Sequence, residues 1–117
     1  MRDLPLIDRA HLTAQTFGDA DLAREVLGLF VDQCRRLTPM IGAPTPSAAE
    51  RADLAHTLKG AALGVGAVRV ATAGAAVEAS LRADGAAPDL PELEAAVAAT
   101  LAQIAEDGAA SDPSRGT

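Results

Sequence analysis

Cysteine is nearly absent: Cys34 stands alone among 117 residues. That excludes an intramolecular disulfide and a zinc site built from thiolates. Aromatic residues are almost as scarce, with two phenylalanines and neither tryptophan nor tyrosine. Positive charge is in deficit, with 10 Lys and Arg against 16 Asp and Glu and a formal net charge of −6. No cationic cluster offers a surface for a phosphate backbone, so nucleic acid is not an expected partner. No apolar run approaches the roughly 18 residues that span a bilayer. The opening stretch MRDLPLIDRA lacks the apolar segment of a signal peptide. These absences lead us to expect a soluble, cytoplasmic protein with no membrane attachment.

What remains is rich in alanine, leucine and valine, and 49% of the residues are hydrophobic. Ala and Leu head the helix propensities, so this composition favours close-packed helices, and the length suits one domain. A short apolar segment, Leu6 to Thr16, ends near Gly18. A long segment follows from Asp19 or Asp21, either of which can cap it, to about Ile41. Leu22, Val26, Leu29, Leu37 and Met40 recur in it at helical spacing, predicting its core stripe.

The break Gly42-Ala43-Pro44-Thr45-Pro46 precedes Ser47-Ala48-Ala49-Glu50, a capping-box sequence that starts a third helix. That helix carries Leu54, Leu58, Ala61, Ala62 and Val65 toward a core and ends around Gly64 to Gly66. A fourth helix spans about Val68 to Ala83, with Val70, Gly74, Val77 and Leu81 along a bundle seam. The last starts near Asp89, tolerates Pro91 in its first turn and aligns Leu93, Val97, Leu101 and Ile104. The expected architecture is all-α: an antiparallel four-helix bundle with an additional short N-terminal helix. Residues 1–107 are expected to form the single domain and residues 108–117 a flexible C-terminal tail.

His56 departs from this apolar pattern. At about 100° per residue, Leu54, Leu58, Ala61 and Val65 lie within roughly 40° of the direction opposite it, so the imidazole is expected in water. Its neighbours on that face are Lys59, Gly60 and Leu63. An exposed imidazole in its neutral form offers a nucleophilic nitrogen. Lys59 brings a cation one turn away. Gly60 weakens the helix interior by about 0.5–1 kcal/mol relative to Ala, a cost that fits close approach by a partner or a phosphate. Leu63 leaves an apolar group beside the charge. Singly, each neighbour is an ordinary surface or helix-contact residue; together they fit a phosphoryl site. His11 has no such surroundings and reads as a surface or boundary residue.

The stretch His56-Thr57-Leu58-Lys59-Gly60-Ala61-Ala62 resembles the phosphorylation-site signature of histidine phosphotransfer (HPt) domains. Gly66-Ala67 matches the small pair that closes it, and Val77-Glu78 is similar to the family's Leu-Glu. The resemblance covers about residues 17 to 106. It departs at Leu63-Gly64, where the family often has a small residue and then a polar one.

This resemblance implies a phosphoryl carrier without kinase activity of its own, with His56 as acceptor from the phospho-aspartate of a receiver domain. Lys59 would assist the phosphate electrostatically, Gly60 would permit close approach, and Glu78 is a candidate for orienting the imidazole through its other ring nitrogen. The partners implied are receiver domains of hybrid histidine kinases and response regulators. Mg²⁺ is expected in the receiver, with no cofactor or metal in this chain, which has no P-loop and no acidic cluster beside the histidine. Docking is expected to involve Leu63 and a second apolar stripe of the long helix, Leu27, Val31 and Cys34. A monomer is expected, since the histidine needs access from solvent.

Three other readings are distinguishable. A scaffold or regulator of receiver or kinase domains would never be phosphorylated on His56. The phosphoacceptor domain of a sensor kinase would follow its histidine with an acidic residue and an Arg/Thr-Pro pattern, which Thr57-Leu58-Lys59-Gly60 does not match. A metal-binding bundle would need paired Glu-x-x-His spacing, which the two histidines lack.

Overall fold

The structure, a computed structural model, describes residues 5–111, with side chains described as far as residue 108. Five helices and no strand occur among the described residues: α1 (Arg9–Gln15), α2 (Ala20–Gly42), α3 (Ala48–Val65), α4 (Val68–Asp84) and α5 (Leu90–Ser111). Helices α2 to α5 pack in chain order and α5 closes back against α2, while α1 leans on α2 and α3. The expected four-helix bundle with a short leading helix is therefore present.

Local chemistry sets the boundaries. Asp19 starts α2 by accepting from the amides of Asp21 and Leu22. The Ser47–Glu50 capping box forms at α3, satisfying amide donors at both positions. Arg51 then donates to the carbonyl of Ile41 at 2.7 Å, giving a partner to the C-terminal end of α2. Helix α3 stops at Gly66, which takes φ 78° in the left-handed region, and only Ala67 separates it from α4. Helix α5 continues through Gly108 to Ser111, so the expected tail is helical in its first part. The rest of that tail, residues 112–117, lies outside the described residues.

The core differs from expectation on α2. The buried residues are Leu27, Phe30, Cys34, Leu37 and Ile41. On a helical wheel these lie within about 60° of Cys34, with Leu29 roughly 140° and Met40 roughly 120° away. Leu29 is 64% exposed and Met40 42% exposed, while Leu22 and Val26 are half-buried at the flank. Both faces of α2 are apolar; the one with Phe30 and Ile41, among the largest fully buried side chains, takes the core.

Helix α3 also turns from expectation. Its buried arc comprises Ala52, Ala55, Ala62, Leu58 and Val65, which lie to one side of His56 at about 40° to 180° around the helix. Leu54 and Ala61, on the other side, are only half-buried. The arc thus includes alanines, of which Ala55 stands at the seam with α4. There the expected seam of α4, Val70, Gly74, Val77 and Leu81, is buried as read. A Cβ on Gly74 would lie 3.7–3.8 Å from Lys59 and from the carbonyl of Ala55. Small residues on both helices let the axes approach closely.

Gly66 joins this frame to α1. Its carbonyl accepts from the amide of Asp8 at 2.7 Å, and a Cβ there would stand 2.9 Å from the Asp8 carbonyl oxygen. Left-handed backbone costs a residue with a Cβ about 1–2 kcal/mol before any collision is counted. Gly66→Ala is therefore expected to lower unfolding free energy by at least about that amount in denaturant titration.

Candidate functional site

His56 sits at the border of α3 and α4, not on the free back of its helix. Its side chain remains 62% exposed, but the Nδ1 edge is turned toward α4 and meets the Glu78 carboxylate at 3.1 Å from Oε2 and 3.3 Å from Oε1. Glu78 is reached because Gly74, one turn earlier on α4, lies directly against Ala55 and Lys59. A bulky side chain at Gly74 would wedge the helices apart at the turn that carries the ring.

The carboxylate is the hub of the site. Lys59 donates from Nζ to Oε1 at 2.9 Å and Arg82 donates from Nε to Oε2 at 3.1 Å, so each oxygen has its own cation. Arg82 also donates from Nη2 to Asp53 Oδ1 at 3.0 Å, returning the chain of contacts to α3. Asp53, His56 and Lys59 recur every three residues on α3; Glu78 and Arg82 are one turn apart on α4.

Glu78 is mostly enclosed, its side chain 13% exposed. Burial by itself pushes a carboxyl up. Here the hydrogen bonds from Lys59, Arg82 and His56, with the nearby Lys59 charge, outweigh it and bring Glu78 from its ordinary 4.5 down to about 2. An ionised carboxylate only accepts, so Nδ1 carries a hydrogen and Nε2 of the neutral ring keeps its lone pair. The arrangement presents one nucleophilic nitrogen on a ring whose other nitrogen is held.

The remaining expected residues divide. Lys59 is at the site, but its ammonium rests on Glu78 and is half-buried. Gly60 is exposed, and a Cβ built there would meet nothing within 4 Å, so no helix inside the bundle requires glycine at this point. Leu63 is 56% exposed one turn further along the same face. The expected docking stripe of α2 is corrected: Leu27 and Cys34 are buried in the core and Val31 is half-buried. Leu27 and Cys34 face inward because Cys34 lies at the middle of the Phe30–Ile41 face, where burial pushes its thiol up to about 12. The large exposed hydrophobic side chains of α2 are instead Leu29 and Met40.

Arg82 and Asp53 were not singled out from sequence. The Glu78–Arg82 spacing of four was a visible signal for a pair on one helix. The link to Asp53 depends on the register of α4 against α3, which no spacing encodes.

The depressed Glu78 acidity predicts a pH signature. A carboxyl lowered on folding contributes stability that is fully present above its ordinary 4.5 and lost as pH falls toward about 2. Thermal melts across that window should show a shallower acid-side decline for Glu78→Gln than for the unaltered chain. An identical slope would mean that the carboxylate is not held as described.

Comparison with protein-family models gives a match to the Hpt domain over residues 25–107, more than half of the chain and including every residue of the site. Comparisons with curated proteins and with solved structures gave no match. The helical bundle, the exposed histidine and this match agree that the chain belongs to the Hpt domain family, the phosphotransfer modules of phosphorelays that interact with receiver domains.

Proposed function

We propose that this chain carries a phosphoryl group between receiver domains as a phosphohistidine at His56, without kinase activity of its own. The observation that supports this most is the exposed imidazole whose Nδ1 is occupied by Glu78. In the transfer step Nε2 attacks phosphorus of the receiver's phospho-aspartate in line. The N–P bond forms, the acyl-phosphate O–P bond breaks, and the aspartate carboxylate leaves with the electron pair. The ring gains positive charge and keeps its Nδ1 hydrogen, which the Glu78 carboxylate stabilises. The reverse sequence delivers the group to a second receiver.

In this reading the receiver, a domain of a hybrid histidine kinase or a response regulator, brings Mg²⁺ and most of the charge stabilisation, consistent with phosphoryl transfer as positioning plus electrostatics. This chain contributes the acceptor and its orientation, with the Lys59 cation beside it. It acts in the cytoplasm as a monomer. Gly60 and Leu63 form the near part of the docking face, where bare backbone and one leucine border the ring.

Incubation with labelled phospho-receivers is expected to transfer label to this chain as an acid-labile, alkali-stable phosphoamidate, and His56→Gln should abolish it. Persistent labelling of that variant, or no labelling by any receiver of the source genome, would contradict the proposal. Gly60→Ala separates fold from function. With open space at the Cβ position, it should raise unfolding free energy by about 0.5–1 kcal/mol while slowing transfer. Unchanged transfer would remove Gly60 from the docking face.

A further inference from the structure

The Arg82 guanidinium spans two carboxylates on two helices: Nε meets Glu78 Oε2 at 3.1 Å and Nη2 meets Asp53 Oδ1 at 3.0 Å. Oε2 is also the Glu78 oxygen closer to His56 Nδ1. Lys59 fixes only the other oxygen. Without Arg82, rotation of the carboxylate about its last bond would be restrained from one side alone. Asp53 sits one turn before His56 on α3, so the brace on Arg82 is anchored in the helix that carries the ring.

We infer that Arg82, braced by Asp53, is a positioning residue for His56. It pins the Glu78 carboxylate so that Nδ1 stays the hydrogen-bearing nitrogen and Nε2 the free one. The inference deepens the proposed phosphotransfer role, and its ring geometry stands whether or not a receiver is found. The task suits arginine. A planar guanidinium offers donors at fixed divergent angles, whereas the single ammonium of lysine cannot reach both acceptors in the same geometry. Arg82 and Asp53 are both exposed, and exposed ion pairs add little to stability. Loss of the Asp53 brace alone should therefore leave hardly any trace on stability, whereas a positioning role alters the ring.

The tautomer of the ring reports this directly. Imidazole nitrogen NMR shifts of His56 in the full chain, taken at mildly alkaline pH, distinguish a hydrogen-bearing from a lone-pair nitrogen. The unaltered chain should show Nδ1 at the hydrogen-bearing position and Nε2 at the lone-pair position. In Arg82→Met the Nε2 resonance should move toward the hydrogen-bearing position. Arg82→Lys should recover part of that shift, and Asp53→Asn should produce a smaller shift of the same sign with the thermal midpoint nearly unchanged. The initial rate of label acquisition from a phospho-receiver should fall several-fold in Arg82→Met. Ring shifts identical to the unaltered chain in both Arg82→Met and Asp53→Asn would overturn the inference. Failure of every receiver to label the chain, with the tautomer shift present, would count against phosphotransfer and leave the positioning role standing.

Discussion

The seam between α3 and α4 governs the rest of the molecule. Gly74 lies against Ala55 and Lys59, and Ala55 is one of three buried alanines on α3. Small side chains bring the two backbones close enough for a glutamate on one helix to reach an imidazole on the other. Gly66 and Ala67 alone connect the two helices, so the register is set within two residues of chain. With longer side chains in the seam, His56 would be an isolated surface histidine. Leu58, Val65, Val70 and Val77 then seal the seam to the wider core.

Charge completes what packing begins. Glu78 is largely enclosed, an environment that favours a neutral carboxyl, yet Lys59, Arg82 and His56 hold it ionised. An anion fixed in this way is preorganised for a ring that becomes more positive during the proposed transfer, and little rearrangement is needed when that charge appears. The exposure of Asp53 and Arg82 gives their pair little weight in stability, so their placement has more bearing on geometry than on the folding free energy. The open Cβ position at Gly60 has the same character: the bundle itself has no use for a glycine there, and only the proposed docking gives it one.

Much of this was legible in the sequence, for local reasons. Ser47 and Glu50 marked the start of α3, the Val70–Leu81 seam marked the inward face of α4, and His56 broke an otherwise apolar pattern. The misreadings share one physical origin. On α2 two apolar faces competed, and Leu29 and Met40 lost to Phe30, Cys34 and Ile41 because only one face meets α3 and α5. On α3, Ala52 and Ala55 were passed over for the larger Leu54, although alanine is what a close seam demands. Arg82 and Asp53 stayed hidden because their meeting depends on how two helices are registered.

The most direct test is phosphorus NMR of the chain after phosphorylation by a small-molecule phosphoramidate, which bypasses any choice of receiver. Phosphohistidines carrying the group on Nε2 and on Nδ1 give distinct signals. With Glu78 on Nδ1, a single His56-dependent signal of the Nε2 type is expected, absent from His56→Gln. A His56-dependent signal of the Nδ1 type, or none at all, would contradict the claim that this site presents Nε2 as the phosphoryl acceptor.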